Sequence, residues 1–260
     1  MKEPATPKPS ATVAMVRQGA DAPEILLVRR RAGDAFGNAY TFPGGVVDHD
    51  ERYAHFLCDG RSPEDAEQIL QIEDGLDYYS AAIRELFEET GILLARDAEG
   101  IWPADVGAFA RQRVAVDRCE LPWPEFLRNE GLCMAADALH YFAWWVTPVN
   151  SPKRWSARFF VAELPPGQDA EHDGKELTDS RWLTAQDALS LYRAGKLKLP
   201  QPTRRNLGLM APFATVEALL TWARARHLSG IPRICPVQVF VDGEELYPIP
   251  GDPHWPKEPE

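Results

Sequence analysis

The strongest constraint on this chain is an acidic segment at residues 84–92, which reads Arg-Glu-Leu-Phe-Glu-Glu-Thr-Gly-Ile. In an α-helix, Glu85, Glu88 and Glu89 occupy positions i, i+3 and i+4 and share one face. Three carboxylates this close repel one another, and the single neighbouring arginine, Arg84, cannot neutralise them all. Oxygen ligands of this kind suit a hard divalent cation, Mg²⁺ or Mn²⁺. The segment therefore predicts a metal-binding helical face, and the alternative is a solvated acidic face.

The other side of this helix is predicted to be buried. Its apolar residues fall on one broad arc at helical spacing: Tyr79, Ala82, Ile83, Leu86 and Phe87. Gly91 stands where a left-handed C-terminal cap belongs, so the helix is predicted to run from about Leu76 to Thr90. Residues 42–45 read Phe-Pro-Gly-Gly, and glycines there let the backbone approach a ligand closely. Both features favour the metal site over the solvated face.

These segments together resemble the signature of the Nudix hydrolases, with Gly45, five residues, Glu51, and later Arg-Glu-Leu-x-Glu-Glu-x-Gly-Ile. In the common form seven residues separate the first glutamate from the arginine, whereas thirty-two separate Glu51 from Arg84 here. Such a split signature resembles the branch that contains the peroxisomal coenzyme A diphosphatases and their bacterial relatives. Further stretches similar to that branch lie at residues 40–48, 147–148, 152–154, 157–160 and 251–253.

The resemblance implies an α/β fold, a Nudix α/β/α sandwich with a mixed sheet, which suits a chain without regular βαβ alternation. We expect a flexible tail at residues 1–10, a single Nudix domain at 11–253 and a tail at 254–260. The domain would carry an insertion inside the signature, at about 52–75, and a C-terminal helical extension, at about 200–253. Because the insertion enters a catalytic loop, we expect it to fold over the pocket and shape substrate choice.

Local patterns add boundaries inside this domain. A first strand is predicted at 11–17 and a short late strand at 181–183. Ser62 before Pro63 predicts a helix within the insertion, because serine is a good N-cap and proline suits the first turn. Residues 203–227 carry helical periodicity with a break near Pro212, and Asp242-Gly243 predicts a terminal hairpin.

Carried over residue by residue, the resemblance implies roles for the signature residues. Glu88 and Glu89 are implied as metal ligands, and Glu85 as a metal ligand or as the catalytic base that orients water. Gly45 is implied to offer its carbonyl oxygen to the metal. Arg84 is implied to orient the carboxylates through charge-assisted hydrogen bonds.

Two acidic positions stay open. Glu51 is either a site residue or a surface-loop glutamate. Many Nudix enzymes also use an acid from a distant loop, and the candidates before Trp182 are Glu163, Glu171, Asp173 and Glu176. We favour Glu176 as a catalytic residue because it lies in a loop just before the late strand at 181–183. The alternative is that all four are solvated.

The implied substrate needs cationic contacts for its phosphates. The candidates are Arg29, Arg31, Lys153, Arg154 and Arg158, each of which could equally be an ordinary surface residue. Trp144, Trp145 and Trp155 could stack on an adenine ring or lie in the core.

The resemblance implies a diphosphohydrolase that uses Mg²⁺ or Mn²⁺ to cleave coenzyme A or acyl-coenzyme A into 3′,5′-ADP and (acyl-)4′-phosphopantetheine. One alternative is hydrolysis of another nucleoside diphosphate derivative, such as ADP-ribose or a nucleotide sugar. A second alternative is a non-catalytic Nudix-fold module that binds nucleotides.

Composition limits partners and compartment. The net charge of −11 argues against nucleic-acid binding, which needs clustered positive surface. No segment reaches 18 consecutive apolar residues, so no membrane span is expected. Four scattered cysteines without a C-x-x-C pair predict free thiols in a reducing cytoplasm. The first ten residues lack the apolar region that a secretory signal carries. A homodimer is compatible with the sequence.

Overall fold

The computed structural model describes residues 4–31, 37–171 and 177–256, with the side chain of residue 30 left out. Its main sheet contains the strands β1 Lys8–Gln18, β2 Pro23–Arg30, β3 Tyr40–Thr41, β4 Gly44–Val46, β8 His140–Val146, β9 Trp155–Glu163, β10 Leu177–Thr184 and β11 Arg233–Ile234. They stand in the order β10-β2-β1-β9-β8-β11, with β3 beside β2 and β4 beside β1. β1 pairs in parallel with β9, and β11 with β8, while the other pairs in this sheet are antiparallel. The predicted mixed sheet is thereby confirmed.

A small sheet contains β5 Cys58–Asp59, β6 Ala95–Arg96 and β7 Cys133–Ala135, and a hairpin contains β12 Val239–Val241 and β13 Glu244–Leu246. The α-helices are α1 Pro63–Leu70, α2 Gly75–Thr90, α3 Ala110–Asp117, α4 Trp123–Asn129, α5 Ala185–Arg193, α6 Gln201–Met210 and α7 Val216–Arg226. Short 3-10 helices lie at His49–Leu57, Val106–Phe109, Ala136–Ala138 and His227–Ser229.

Helices cover both faces of the main sheet. Along β1, Val13 and Met15 join the core under α2, whereas Ala14 and Val16 join the core under α5, α6 and α7. All four side chains are fully buried because a central strand between two helical layers has no solvent-facing side. This arrangement confirms the predicted α/β/α sandwich. None of the helices in the described ranges is both long and apolar enough to cross a bilayer.

Two strands are longer than the sequence pattern predicts. β1 begins at Lys8, where its parallel pairing with β9 also begins, so residues 8–10 belong to the sheet and not to the predicted tail. β10 begins at Leu177 and pairs along most of β2, whereas the prediction covered only 181–183. Neighbouring strands supply these backbone hydrogen bonds, and residues 177–180 carry no strong local pattern of their own.

The insertion packs beside α2. Ser62 and Asp65 form a capping box at the start of α1, which confirms the predicted N-cap. Gly75 lets the start of α2 approach α1, since an added Cβ would lie 2.6 Å from the carbonyl carbon of Ala66. β5 then ties the insertion to β7 in the small sheet. The insertion is thus anchored on the α2 side of the main sheet.

The C-terminal extension lies over the opposite face. α6 ends at Met210 and α7 begins at Val216, which confirms the predicted break near Pro212. The β12–β13 hairpin turns at Asp242 and Gly243, both with positive φ, as the prediction required. This extension and α5 together supply the second helical layer of the sandwich.

Candidate active site

Two glycines hold strand β4 against α2. An alanine Cβ at Gly44 would lie 2.3 Å from the carbonyl oxygen of Ala11, and Gly44 has φ +146. A Cβ at Gly45 would lie 2.3 Å from the carboxyl carbon of Glu85. The backbone N–H of Gly44 also donates to Oε2 of Glu89 over 2.8 Å. The double glycine therefore brings backbone into direct contact with the acidic face of α2.

Arg84 is the centre of this acidic face. Its side chain is buried, and Nη1 donates to Glu85 Oε1 over 3.1 Å and to Glu88 Oε2 over 3.0 Å. Nη2 donates to the carbonyl oxygen of Val46 over 3.2 Å, which links the helix to β4. The guanidinium group thus fixes two carboxylates and one strand through charge-assisted bonds, as the sequence analysis predicted for its orienting role.

Glu51 belongs to the same cluster. It is 3% exposed, it accepts a 2.8 Å hydrogen bond from Arg84 Nε, and it accepts a 2.5 Å hydrogen bond from Ser80 Oγ. The reading of Glu51 as a surface-loop glutamate is therefore wrong. Its spacing from Gly45 was the sequence signal, whereas nothing in the sequence marked Ser80 as its second partner.

The cluster carries more negative than positive charge. Burial raises the pKa of Glu88 to about 7, with Arg84 opposing the rise and Glu85 adding to it. Burial also raises the pKa of Glu51, against the opposing effect of Arg84. Burial by itself lowers the pKa of Arg84, but the charges of Glu51, Glu85 and Glu88 outweigh it and raise that pKa above its ordinary value. The guanidinium is charged at every working pH and cannot neutralise all its neighbours.

The oxygen donors of Glu85, Glu88 and Glu89 are chemically suited to a hard divalent cation. Three carboxylates and a close backbone segment supply oxygen ligands, and an added positive charge would offset the burial and the Glu85 charge that raise the pKa of Glu88. Within the described residues, no three His, Cys, Asp or Glu side chains already converge on one point. Arg84 holds Glu85 and Glu88, while the Gly44 N–H holds Glu89. Metal binding would therefore exchange some of these contacts for metal–oxygen contacts.

The loop between β9 and β10 approaches this site. The backbone N–H of Glu171 donates to the carbonyl oxygen of Thr90, the last residue of α2, over 2.8 Å. Glu163 and Glu171 are both exposed. Asp173 and the favoured candidate, Glu176, lie outside the described residues, so the assignment of Glu176 stays a prediction.

A cavity of about 710 Å³ lies on the other side of β4. Gly44, Gly45 and Val46 form one wall, and side chains of β1, β8 and β9 form its floor, among them Thr12, Trp145 and Phe159. The first turn of α6 and the C-terminal segment supply further walls, including Thr203, Pro236 and Tyr247. One strand thus separates the cavity from the carboxylates of α2.

The insertion does not contribute to this cavity, as far as the described lining residues show. The expectation that it folds over the pocket is wrong for this cavity, because α1 and the 3-10 helix at 49–57 pack on α2, on the other face of the sheet.

Two of the predicted phosphate-binding residues line the cavity. Arg31 and Lys153 are exposed and stand among its walls. Arg29 lies outside it, with Nε donating to Thr178 Oγ1 over 2.9 Å. The structure therefore brings together only part of the predicted cationic set.

The other two predicted cations are buried in structural positions. Arg154 donates from Nη1 to the carbonyl oxygen of Ala5 over 2.8 Å and from Nε to that of Thr147 over 3.1 Å. Arg158 lies on the α2 face with its guanidinium carbon 3.6 Å from the centre of the Trp144 ring, and Nη2 donates to Leu70 over 3.2 Å. Their predicted role in substrate binding is wrong for this cavity. Arg158 points inward from β9, whereas Arg154, just before β9, is buried by its bonds to two backbone carbonyls. One sequence does not reveal either placement.

The tryptophans also divide between the faces. Trp145 and Trp155 line the cavity, and Trp145 Nε1 donates to Oδ1 of the buried Asn206 over 3.1 Å. Trp144 points to the other face and covers Arg158. Only Trp145 and Trp155 are therefore placed to contact a ligand in this cavity.

Known proteins are similar to this chain in sequence and in fold. Residues 51–210 match the sequence model of a family described as the NUDT19 Nudix domain. The acyl-coenzyme A diphosphatase NUDT19 of Xenopus laevis is 26% identical over 275 residues, covering 91% of this chain and 72% of that protein. The Homo sapiens protein of that name is 26% identical over 274 residues, covering 88% and 71%. A crystal structure of a NUDIX hydrolase from Alicyclobacillus acidocaldarius superposes with a TM-score of 0.66 at 24% identity, covering 84% of this chain and 96% of that one.

Proposed function

Because this chain belongs to the NUDT19 Nudix domain family, we propose that it hydrolyses the diphosphate bond of coenzyme A or acyl-coenzyme A. The products are 3′,5′-ADP and (acyl-)4′-phosphopantetheine. Nudix hydrolases generally need divalent metal ions, and Mg²⁺ or Mn²⁺ is the proposed ion here because the donors are carboxylate oxygens. The names of the relatives in frog and human support the substrate class.

The observation that carries the hydrolase chemistry is the contact of Gly44 and Gly45 with the acidic face of α2. Glu85 and Glu89 stand against this backbone segment, and Arg84 joins Glu88 to Glu85. A pure binding module has no need for a buried excess of like charges, which costs folding free energy. The arrangement therefore supports catalysis over passive binding.

The proposed reaction adds one water across the diphosphate. A water oxygen attacks one phosphorus atom, the bond from that phosphorus to the bridging oxygen breaks, and the bridging oxygen leaves with the other phosphate. Bound metal ions would polarise the phosphoryl oxygens and neutralise the leaving phosphate. Glu88 and Glu89 would hold the metal, and Gly45 would present backbone oxygen beside it.

Protein groups would control water and geometry. Glu85, which contacts both Gly45 and Arg84, is placed to orient the attacking water and accept its proton. Arg84 would keep Glu85 and Glu88 in position, and Glu51 would keep Arg84 buried and oriented. Glu176 remains a proposed second acid from the distant loop.

The test is product analysis with purified protein and either Mg²⁺ or Mn²⁺. Coenzyme A, octanoyl-coenzyme A, dephospho-coenzyme A, ADP-ribose and a nucleotide sugar would be compared at equal concentration. We expect 3′,5′-ADP from the first two and slower turnover of the others. Preferred cleavage of ADP-ribose or of the nucleotide sugar would contradict the substrate proposal while keeping the metal chemistry. Metal binding without turnover of any of them would instead support a nucleotide-binding module.

A further inference from the structure

We infer that the cavity beside β4 accepts the (acyl-)pantetheine arm of the substrate, and that the C-terminal segment 236–247 determines which arms fit. This inference rests on the proposed function, because it divides the substrate into an arm and a nucleotide on either side of the cleaved bond. The cavity would take the apolar arm, and the 3′-phosphorylated nucleotide would lie outside it.

The chemistry of the walls favours the arm. The described lining residues are mainly apolar or aromatic, as with Phe42, Trp145 and Phe159. The charged ones, Arg31 and Lys153, are both exposed. A nucleotide with a 3′-phosphate carries several negative charges, and burying them without paired cations is strongly unfavourable. An arm with two amides and an alkyl chain needs apolar walls and a few hydrogen-bonding groups.

Those few polar groups are present on the floor. Ser10 and Thr12 of β1 line the cavity, and they alternate with Ala11 and Val13, which face α2, so their hydroxyl groups point to the cavity side. Thr41 of β3 also belongs to the lining. Hydroxyls both donate and accept, so they can pair with the amides of a pantetheine chain. Apolar walls with a few convergent polar groups are the usual composition of a small-molecule site.

The size of the cavity also fits an arm with an acyl chain. Its volume of about 710 Å³ corresponds to roughly two dozen groups of the size of one water, at about 30 Å³ each. A pantetheine chain has roughly eighteen non-hydrogen atoms, so space remains for a short or medium acyl chain.

The cavity is connected to the proposed reaction centre through β4. This strand pairs with β1 along one edge, at residues 10–12, and the Gly44 N–H contacts Glu89 on α2. A Cβ at Gly45 would lie 2.3 Å from the carboxyl carbon of Glu85, so a substrate bound against β4 lies next to the carboxylates of α2. The diphosphate would lie at β4 and the arm would extend away from it.

The C-terminal segment is held over the cavity as a fixed cover. Gln201 Nε2 donates to the carbonyl oxygen of Tyr247 over 2.7 Å, and the Val237 N–H donates to that of Pro248 over 3.1 Å. Arg205 forms an ion pair with Asp252 just beyond this segment. Pro236 and Tyr247 line the cavity, and Tyr247 is 37% exposed. Its ring therefore lies at the rim, where its size controls how long an arm can extend.

The first test uses binding and does not depend on turnover. S-octanoyl-pantetheine, which lacks every phosphate, and 3′,5′-ADP would each be titrated into the wild type and Ala157→Phe, with calorimetry as the readout. Ala157 lines the cavity, so the added ring should weaken binding of octanoyl-pantetheine at least 10-fold and leave that of 3′,5′-ADP within 2-fold. Three results would overturn the inference. The substitution could weaken binding of 3′,5′-ADP and spare that of octanoyl-pantetheine, both proteins could bind both ligands equally, or the wild type could fail to bind octanoyl-pantetheine.

The second test uses the exposed rim, where a substitution is tolerated without refolding of the core. Tyr247→Ala should raise the ratio of kcat/KM for dodecanoyl- over octanoyl-coenzyme A at least 3-fold, and Tyr247→Trp should lower it. Phe240→Ala is the matched control, because Phe240 lies in the same C-terminal segment, is 71% exposed and is absent from the described lining of the cavity. An unchanged ratio in both Tyr247 variants would refute the role of the segment. Absence of any coenzyme A hydrolysis would count against the proposed function, whereas the binding test judges the cavity by itself.

Discussion

The carboxylate of Glu51 accepts a 2.8 Å hydrogen bond from Nε of Arg84, although the two residues lie 33 positions apart in the chain. The insertion between them folds outward and packs on α2, and the chain then returns so that both residues meet under strand β4. Both side chains are buried. A split signature therefore gives one continuous site in space.

This buried pair predicts a large effect of Glu51→Gln. The substitution leaves the Arg84 guanidinium with one fewer counter-charge, and breaking a buried pair typically costs about 3–5 kcal/mol. We expect the free energy of unfolding to fall by about 3 kcal/mol and kcat to fall with it, because Arg84 loses its fixed orientation. Urea denaturation and steady-state kinetics measure the two effects. Glu120→Gln, at the exposed ion pair with Arg118, should change stability by less than about 0.5 kcal/mol. Equal effects of the two variants would contradict the structural role of Glu51.

The two glycines of β4 predict different losses on substitution by alanine. At Gly45 the added Cβ meets the end of the flexible Glu85 side chain, which can move, so activity should fall at least about 10-fold with a small loss of stability. At Gly44 the Cβ meets the backbone of Ala11 and Thr12 at a strained φ, so stability should fall by about 2 kcal/mol or more.

A third glycine supplies the control for that pair. Gly208 lies within α6 with open space around it, so alanine there should stabilise the protein by about 0.5–1 kcal/mol. Thermal and urea unfolding, together with kcat/KM for coenzyme A, separate the three cases. A Gly45 variant that unfolds readily yet keeps full specific activity would contradict the assignment.

Lys153 and Arg154 are neighbours in sequence with different predicted functions. Lys153 is exposed at the cavity, where we predict that it contacts a substrate phosphate. Lys153→Gln should therefore raise KM for coenzyme A several-fold without changing the unfolding midpoint. Arg154 is buried and donates to two backbone carbonyls, so Arg154→Gln should lower the free energy of unfolding by about 2 kcal/mol. Kinetics and urea denaturation on both variants check this division, and a KM effect confined to Arg154→Gln would reverse it.

His140 predicts a loss of stability in acid. Burial, with Arg224 nearby, lowers its pKa to about 4, below the ordinary value of 6.5. Between these values the unfolded chain binds a proton that the folded chain does not, so the free energy of unfolding falls as pH falls. Between pH 7 and pH 4.5 the wild type should lose about 2 kcal/mol more than His140→Gln does. Urea unfolding at both pH values measures this difference, and parallel losses in the two proteins would exclude His140 as the cause.

The features that sequence predicted best are those with local causes. The boundaries of α1 and α2 follow from Ser62, Pro63 and Gly91, whose capping preferences act within one turn. The acidic face of α2 follows from helical periodicity alone. The hairpin at 242–243 follows from its turn residues. Each of these signals is complete within a few residues.

The features that sequence did not predict depend on distant parts of the chain. The start of β1 at Lys8 depends on pairing with β9, and the burial of Arg158 depends on which face of β9 meets a helical layer. The burial of Arg154 depends on the carbonyls of Ala5 and Thr147, which lie far from it in the chain or across a loop. Ser80 contacts Glu51 only because the insertion folds outward between them. The sequence offered no signal to distinguish the charged residues near the predicted phosphate site. Only the fold shows that Lys153 is exposed and that Arg154 and Arg158 are buried.

The most direct test of the central claim compares the wild type with the double variant Glu88→Gln/Glu89→Gln. Formation of 3′,5′-ADP from coenzyme A would be measured beside Mn²⁺ affinity in both proteins, with Glu217→Gln on the exposed surface of α7 as the matched control. We predict that the wild type and the control release 3′,5′-ADP, and that the double variant loses both Mn²⁺ binding, by at least about 10-fold, and turnover. Unchanged metal affinity and hydrolysis in the double variant would contradict the claim that the acidic face of α2 is the catalytic centre.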